Sequence, residues 1–217
     1  MSDILNIVLH LDQHLATWAA EMGPWLHGLL FAIVFAETGL VITPFLPGDS
    51  LLFAVGALAA HPDSNIDPLM AFGVLTSAAI LGDAVNYAIG KRLGPRVFSS
   101  TRSRLFNRDH LLRAQAFYEK YGGRAIVLAR FVPIVRTFAP FVAGIGRMSY
   151  RRFAAFNVLG ALIWVASLLG AGLAFGEIPL VKKNFELVII GIIIISVLPV
   201  VVEWWRARRH ARSAPPA

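Results

Sequence analysis

Four ionisable residues lie inside stretches of sequence that are otherwise apolar enough to sit in a bilayer. Glu37 and Asp49 fall within residues 31–60, Arg130 and Arg136 fall within residues 125–146, and prolines and glycines interrupt both segments. An ionised side chain at the bilayer centre costs at least ~2.5–3.5 kcal/mol on insertion scales, so a chain that keeps four of them must shelter them in protein or in a water-filled cavity. That restricts the fold to helices packed around a buried polar site.

Composition agrees. Hydrophobic residues make up 57% of the chain and charged residues 15%, where a soluble domain carries roughly 25% charged residues. This is the balance of an integral membrane protein, and 217 residues leave room for one compact membrane domain and no sizeable soluble one. Residues 1–21 lack a basic start followed by an unbroken apolar core, so no cleavable signal is expected. With no cysteine there is no disulfide framework, no thiolate nucleophile and no Cys-ligated metal. The formal charge of +7 is concentrated beside apolar spans, in Lys91, Arg92, Arg96, Arg102, Arg104, Arg108 and Arg113, in Arg147, Arg151 and Arg152, and in Arg206, Arg208, Arg209 and Arg212. The positive-inside rule places these clusters on the cytoplasmic side, against anionic headgroups and not nucleic acid.

Hydrophobic periodicity predicts an amphipathic interfacial helix over residues 1–24, a membrane core over 25–176, a C-terminal transmembrane helix over 177–206 and a basic cytoplasmic tail over 207–217. Within the core, residues 25–60 are broken by Thr43-Pro44-Phe45-Leu46-Pro47-Gly48, and the arm that follows Asp49 is about ten residues where a full span needs ~20. A re-entrant hairpin is expected there. Residues 69–89 and 153–175 are long enough to span, and 108–121 reads as a second interfacial helix. The basic stretches on both sides of residues 122–147 look cytoplasmic, so that segment must enter and return on one side, with Pro133 and Pro140 as its breaks. Two broken segments in corresponding halves of a chain point to an inverted repeat with its site at the midplane. The expected fold is therefore an all-α membrane protein, an inverted repeat with two opposed re-entrant helical hairpins plus spanning helices.

The chemistry follows from the residue types. Glu37 has no cation at helical spacing, so it is a candidate to carry a proton, or else to form a structural ion pair with an arginine from elsewhere. Asp49 is either a site residue or simply the N-cap of the helix that follows. Arg130 and Arg136 flank Phe131-Val132-Pro133-Ile134-Val135, and a break there brings the two guanidiniums together. Arginine keeps its charge and presents a planar fork suited to phosphate oxygens, which points to an anionic ligand. The plainer reading is that the arginines only neutralise the acids or snorkel to the surface. Asp83, Asn86 and Tyr87 share a spanning helix and are expected to pack against the hairpins, while Asn157 is expected to satisfy broken backbone and Trp164 to be structural. None of the six histidines lies deep in an apolar segment, so neither a histidine-based phosphatase nor a histidine-ligated metal is expected.

Phe35-Ala36-Glu37 leading to Phe45-Leu46-Pro47-Gly48-Asp49, Gly82-Asp83 with Tyr87 and Gly90, Ala129-Arg130-Phe131-Val132-Pro133 with Arg136-Thr137, and Phe156-Asn157 with Gly160-Ala161 and Trp164 together resemble the bacterial DedA family, also called the SNARE-associated or VTT-domain family. The resemblance covers about residues 25–175. It implies opposed re-entrant hairpins, required intramembrane acids and arginines, and a lipid flippase or scramblase activity in the bacterial inner membrane. Carried over, it makes Arg130 and Arg136 the phosphate-binding pair, Glu37 and Asp49 the proton-coupling or charge-compensating pair, and Asp83, Tyr87 and Asn157 supporting residues. The substrate it implies is undecaprenyl phosphate or a related polyprenyl phosphate, moved in dependence on the proton motive force or another coupling cation. A phospholipid scramblase and a proton-coupled small-solute or cation transporter are the alternatives. No cofactor, metal or enzymatic activity is expected.

Overall fold

The structure is a computed structural model that describes residues 17–18, 22–40, 48–62, 64–99, 121–146, 148–179, 181, 184, 187–188 and 190–192, with backbone alone for 94–99 and 133–134. Among these residues all regular structure is helical: α1 (Trp25–Gly39), α2 (Gly48–Ala59), α3 (Pro68–Ser99), α4 (Arg124–Ala129), α5 (Pro133–Ile145) and α6 (Tyr150–Phe175). Most of the expected N-terminal helix over 1–24, the interfacial helix over 108–121, most of the C-terminal helix over 177–206 and the tail over 207–217 lie outside the described residues.

Helix length separates two classes of element. The apolar stretch Pro68–Leu93 of α3 and the whole of α6 are each 26 residues, about 39 Å at ~1.5 Å per residue, which exceeds a ~30 Å hydrocarbon core. With 15 and 12 residues, α1 and α2 reach only about 22 and 18 Å. Neither crosses a bilayer alone. The expected boundaries move in two places. The helix predicted over 69–89 runs on to Ser99, because Lys91 and Arg92 are good helix formers and end only the apolar stretch. Pro133 starts α5, where a missing N–H is harmless, but Pro140 lies inside α5 and does not break it. The second segment is therefore interrupted once, at Arg130, Phe131 and Val132, and not twice.

The long helices each serve both broken segments. Helix α3 packs along α1 and α5, helix α6 packs along α2 and α4, and α3 and α6 also meet each other. Glycines let the backbones come close. A Cβ at Gly82 of α3 would fall 1.9 Å from Thr38 Oγ1 of α1, and one at Gly90 would fall 2.1 Å from the Phe141 carbonyl of α5. On α6, a Cβ at Gly160 would meet Arg130 Cδ at 2.9 Å and one at Gly172 the Phe53 carbonyl of α2 at 2.2 Å. Leu26, Leu30, Val34, Leu52, Val55, Leu75 and Val165 fill the larger apolar core between α1, α2, α3 and α6. Tyr87, Ile126, Ala143 and Phe153 form a smaller one at the second broken segment.

Two sets of glycine substitutions separate close approach from helix propensity. Gly56→Ala and Gly144→Ala each set a methyl 2.2 Å from a facing carbonyl oxygen, and overpacking of this kind is expected to lower stability by ~1–3 kcal/mol. Gly28→Ala and Gly73→Ala, with nothing within 4 Å, are expected to raise it by up to ~1 kcal/mol through helix propensity. Unfolding midpoints in detergent read both signs.

Candidate functional site

Both helix breaks are bracketed by charge. Glu37 stands in the last turn of α1 and Asp49 in the first turn of α2; Arg130 closes α4 and Arg136 stands in the first turn of α5. A helix carries partial positive charge at its N-terminus and partial negative charge at its C-terminus. Asp49 and Arg130 therefore sit at favourable ends, and Glu37 and Arg136 at unfavourable ones. The two disfavoured charges meet.

Arg136 Nη2 donates to Glu37 Oε1, and its Nη1 donates to Asp49 Oδ1 at 2.6 Å. One planar guanidinium thus holds a carboxylate from each side of the first break, across sequence separations of 99 and 87 residues. Asp49 Oδ1 also accepts from Trp164 Nε1 at 2.9 Å, and the Trp164 ring lies under Arg136 with its centroid 4.7 Å from Cζ. Backbone lies directly against the Glu37 carboxylate, since a Cβ on Gly48 would fall 1.8 Å from Oε2.

Arg130 is held by a separate set. Its Nη2 donates to Asp83 Oδ2, to Asn157 Oδ1 at 2.6 Å and weakly to the Ala79 carbonyl at 3.4 Å. Asn157 Nδ2 in turn donates to the Ile80 carbonyl at 3.1 Å, which fixes its oxygen towards Arg130. The Trp164 ring is 6.0 Å from Arg130 Cζ, so one indole stands by both guanidiniums. The side chain of Asp49 is 17% accessible, against 4% or less for Glu37, Asp83, Arg130 and Arg136, which makes Asp49 the most open part of the cluster.

Several sequence expectations change in detail. The arginines do not share the acids: Arg136 takes Glu37 and Asp49, while Arg130 takes Asp83. Asp83 is an ion-pair partner and not a packing residue alone. Asn157 does not satisfy the backbone of a break. Asn86 donates from Nδ2 to the carbonyl of Thr38, in the last turn of α1, at 3.1 Å and to that of Thr137, within α5, at 2.8 Å, and so ties α1 to α5. Tyr87 lies apart from the charges, bonded through its hydroxyl to the Met148 carbonyl and stacked on Phe153 with ring centroids 4.4 Å apart. It fastens α3 to the start of α6. Trp164, expected to be structural, is in the site; its spacing of seven from Asn157 puts both on one helix face, a signal already present in the sequence.

Residues 46–174 match the VTT domain family, a stretch that contains Asp49, Asp83, Arg130, Arg136, Asn157 and Trp164. The whole chain is 54% identical over 211 residues to Protein DedA of Escherichia coli strain K12, covering 97% of this chain and 96% of that protein. The chain belongs to the DedA family. Other DedA-family relatives include an uncharacterized membrane protein of Mycobacterium tuberculosis strain H37Rv, 44% identical over 194 residues with 88% of this chain and 83% of the relative covered. Inner membrane protein YghB of Salmonella typhimurium is 37% identical over 202 residues, covering 91% of this chain and 90% of that protein. No solved structure matches this chain. Family and composition together make this a DedA-family membrane protein, as its motifs implied.

The clamp on Glu37 yields a direct test. Gly48→Ala places a methyl on the Glu37 carboxylate and is expected to force it off Arg136, leaving a buried carboxylate without its cation at a cost of ~3–5 kcal/mol, whereas Glu37→Ala removes that carboxylate, leaves Arg136 on Asp49 and costs less. A double-mutant cycle of Gly48→Ala with Glu37→Ala in detergent unfolding checks this. The two losses should overlap strongly; simple additivity would show that the carboxylate yields to the methyl without leaving its partner.

Proposed function

We propose that this protein carries the phosphate head of a polyprenyl phosphate across the inner membrane while the chain of the lipid stays in hydrocarbon, in dependence on the proton motive force. The observation that carries this reading is the pair of buried guanidiniums, each held by a carboxylate and both beside Trp164. A phosphate offers the same planar donors a competing set of oxygens, so head and carboxylates are alternative occupants of one site. Protonation of Glu37 or Asp49 releases one of the two terminal nitrogens of Arg136 for the head.

In this reading residues 25–60 and 122–147 are opposed re-entrant hairpins of an inverted repeat. The exchange of partners by the long helices supports it: α3 carries the first arm of its own segment and the second arm of the other, and α6 does the same. Basic residues beside the apolar spans support a cytoplasmic C-terminus. The family resemblance supports the lipid class and the coupling to protons.

Reconstitution tests the reading. In vesicles loaded with a fluorescent polyprenyl phosphate, wild-type protein is expected to speed translocation of the head, and Arg130→Ala or Arg136→Ala to reduce it by about 100-fold, the loss of ~2.7 kcal/mol or more that accompanies removal of one charged hydrogen-bonding group. Collapse of the proton gradient should slow the wild type. Translocation that is indifferent to the gradient and to the headgroup would instead identify a phospholipid scramblase.

A further inference from the structure

The two arginines differ in how completely they are occupied. Both terminal nitrogens of Arg136 hold carboxylates, and only its Nε is buried without a partner. Arg130 meets all its acceptors through Nη2, and its Nε and Nη1 are buried without a partner. Its acid is equally incompletely used, because Asp83 binds through Oδ2 and leaves Oδ1 buried with no donor. A carboxylate held by one oxygen on one nitrogen lacks the paired bonds that make arginine and carboxylate a rigid fork; Glu37 is attached to Arg136 in the same way, but it shares that guanidinium with Asp49, whereas Asp83 alone neutralises Arg130. Asn157 differs, since its amide is anchored on the Ile80 carbonyl and offers Arg130 a neutral acceptor that has no charge to compete with an anion.

Charge counting adds an independent constraint. The buried cluster contains Glu37 from α1, Asp49 from α2, Asp83 from α3, Arg130 at the end of α4 and Arg136 from α5, while α6 contributes the neutral Asn157 and Trp164. Three carboxylates face two guanidiniums among the described residues. An anionic head cannot join such a set without neutralising part of it, because an uncompensated charge in a low-dielectric interior is costly.

Resting on the phosphate-transport reading above, we propose that Asp83 is an exchangeable counter-ion: it occupies Arg130 in the empty site, is displaced by the phosphate oxyanion, and is protonated as it lets go. The guanidinium gives up a carboxylate oxygen and takes a phosphate oxygen. The carboxylate accepts a proton from the aqueous phase. A singly charged head and one proton enter together, and the net charge of the cluster does not change. Asn157 stays on Arg130 throughout and keeps it in place.

The two neighbours of Arg130 therefore have opposite effects on affinity. The test uses full-length protein in neutral lipid discs with fluorescent farnesyl phosphate as the probe. Asp83→Asn is expected to bind about tenfold more tightly or better near neutral pH, since a competing negative charge is gone. Asn157→Leu is expected to bind more weakly. Wild-type affinity should fall with rising pH, and Asp83→Asn should lose roughly one log unit of Kd per pH unit from that slope. The titration of the ligand is common to both proteins, so the difference in slope isolates Asp83. Asp83→Ser, read in the same way, covers the case in which the amide does not pack.

Weaker or unchanged binding in both Asp83 variants, or an unchanged slope, overturns the exchange, because a purely structural aspartate predicts those results. Wild-type protein that binds farnesyl phosphate no better than farnesol overturns the phosphate reading itself, and the exchange with it.

Discussion

One guanidinium organises the centre of this membrane protein. Arg136 reaches from the first turn of α5 to carboxylates on both sides of the break between α1 and α2, so a single planar group closes contacts among three helices. The pairing also resolves a local difficulty. Glu37 and Arg136 each stand at the helix end whose dipole opposes their charge, and each supplies the field that the other lacks. Remove Arg136 and two acids are left facing each other at the end of one helix and the start of the next. The remainder of the site, Trp164 on one carboxylate and Asn86 between α1 and α5, is arranged around that junction.

Much of this was legible in the sequence because the bilayer is a severe solvent. Charged residues inside Pro-interrupted apolar stretches had to be brought together out of lipid, and Glu37, Arg130 and Arg136 are buried with Asp49 at the more open edge of their cluster. The order of the helices and the two long elements also followed from apolar run length. Pairing did not, because spacing along a chain does not say which of three carboxylates an arginine from the other half will meet. Asp83 lies on an otherwise ordinary spanning helix, with nothing local in the sequence to mark it as the partner of Arg130. The roles of Asn86 and Asn157 are indistinct in the sequence for the same reason: both are buried amides on long helices, and only the position of neighbouring groups distinguishes them. Pro140 misled in another way. Its missing N–H frees the carbonyl of Arg136, but the surrounding packing of α3 on α5 keeps the helix intact.

Trp164 illustrates how an aromatic residue can be polar in function. The ring places π density near two guanidiniums, at 4.7 and 6.0 Å, while the indole N–H holds Asp49. Its face and edge thus serve opposite charges at once. A phenylalanine would keep the first contribution and lose the second, and so the residue type follows from the arrangement of charges and not from volume alone.

The glycine crossings have a consequence beyond close packing. Where Gly56 meets Gly172 and Gly90 lies against α5, the helices touch through main chain and not through interlocked side chains. Such surfaces have few rotamers to unlock before one rod shifts along another. At these crossings it is the polar junction, together with the apolar core around it, that fixes the relative positions of the rods.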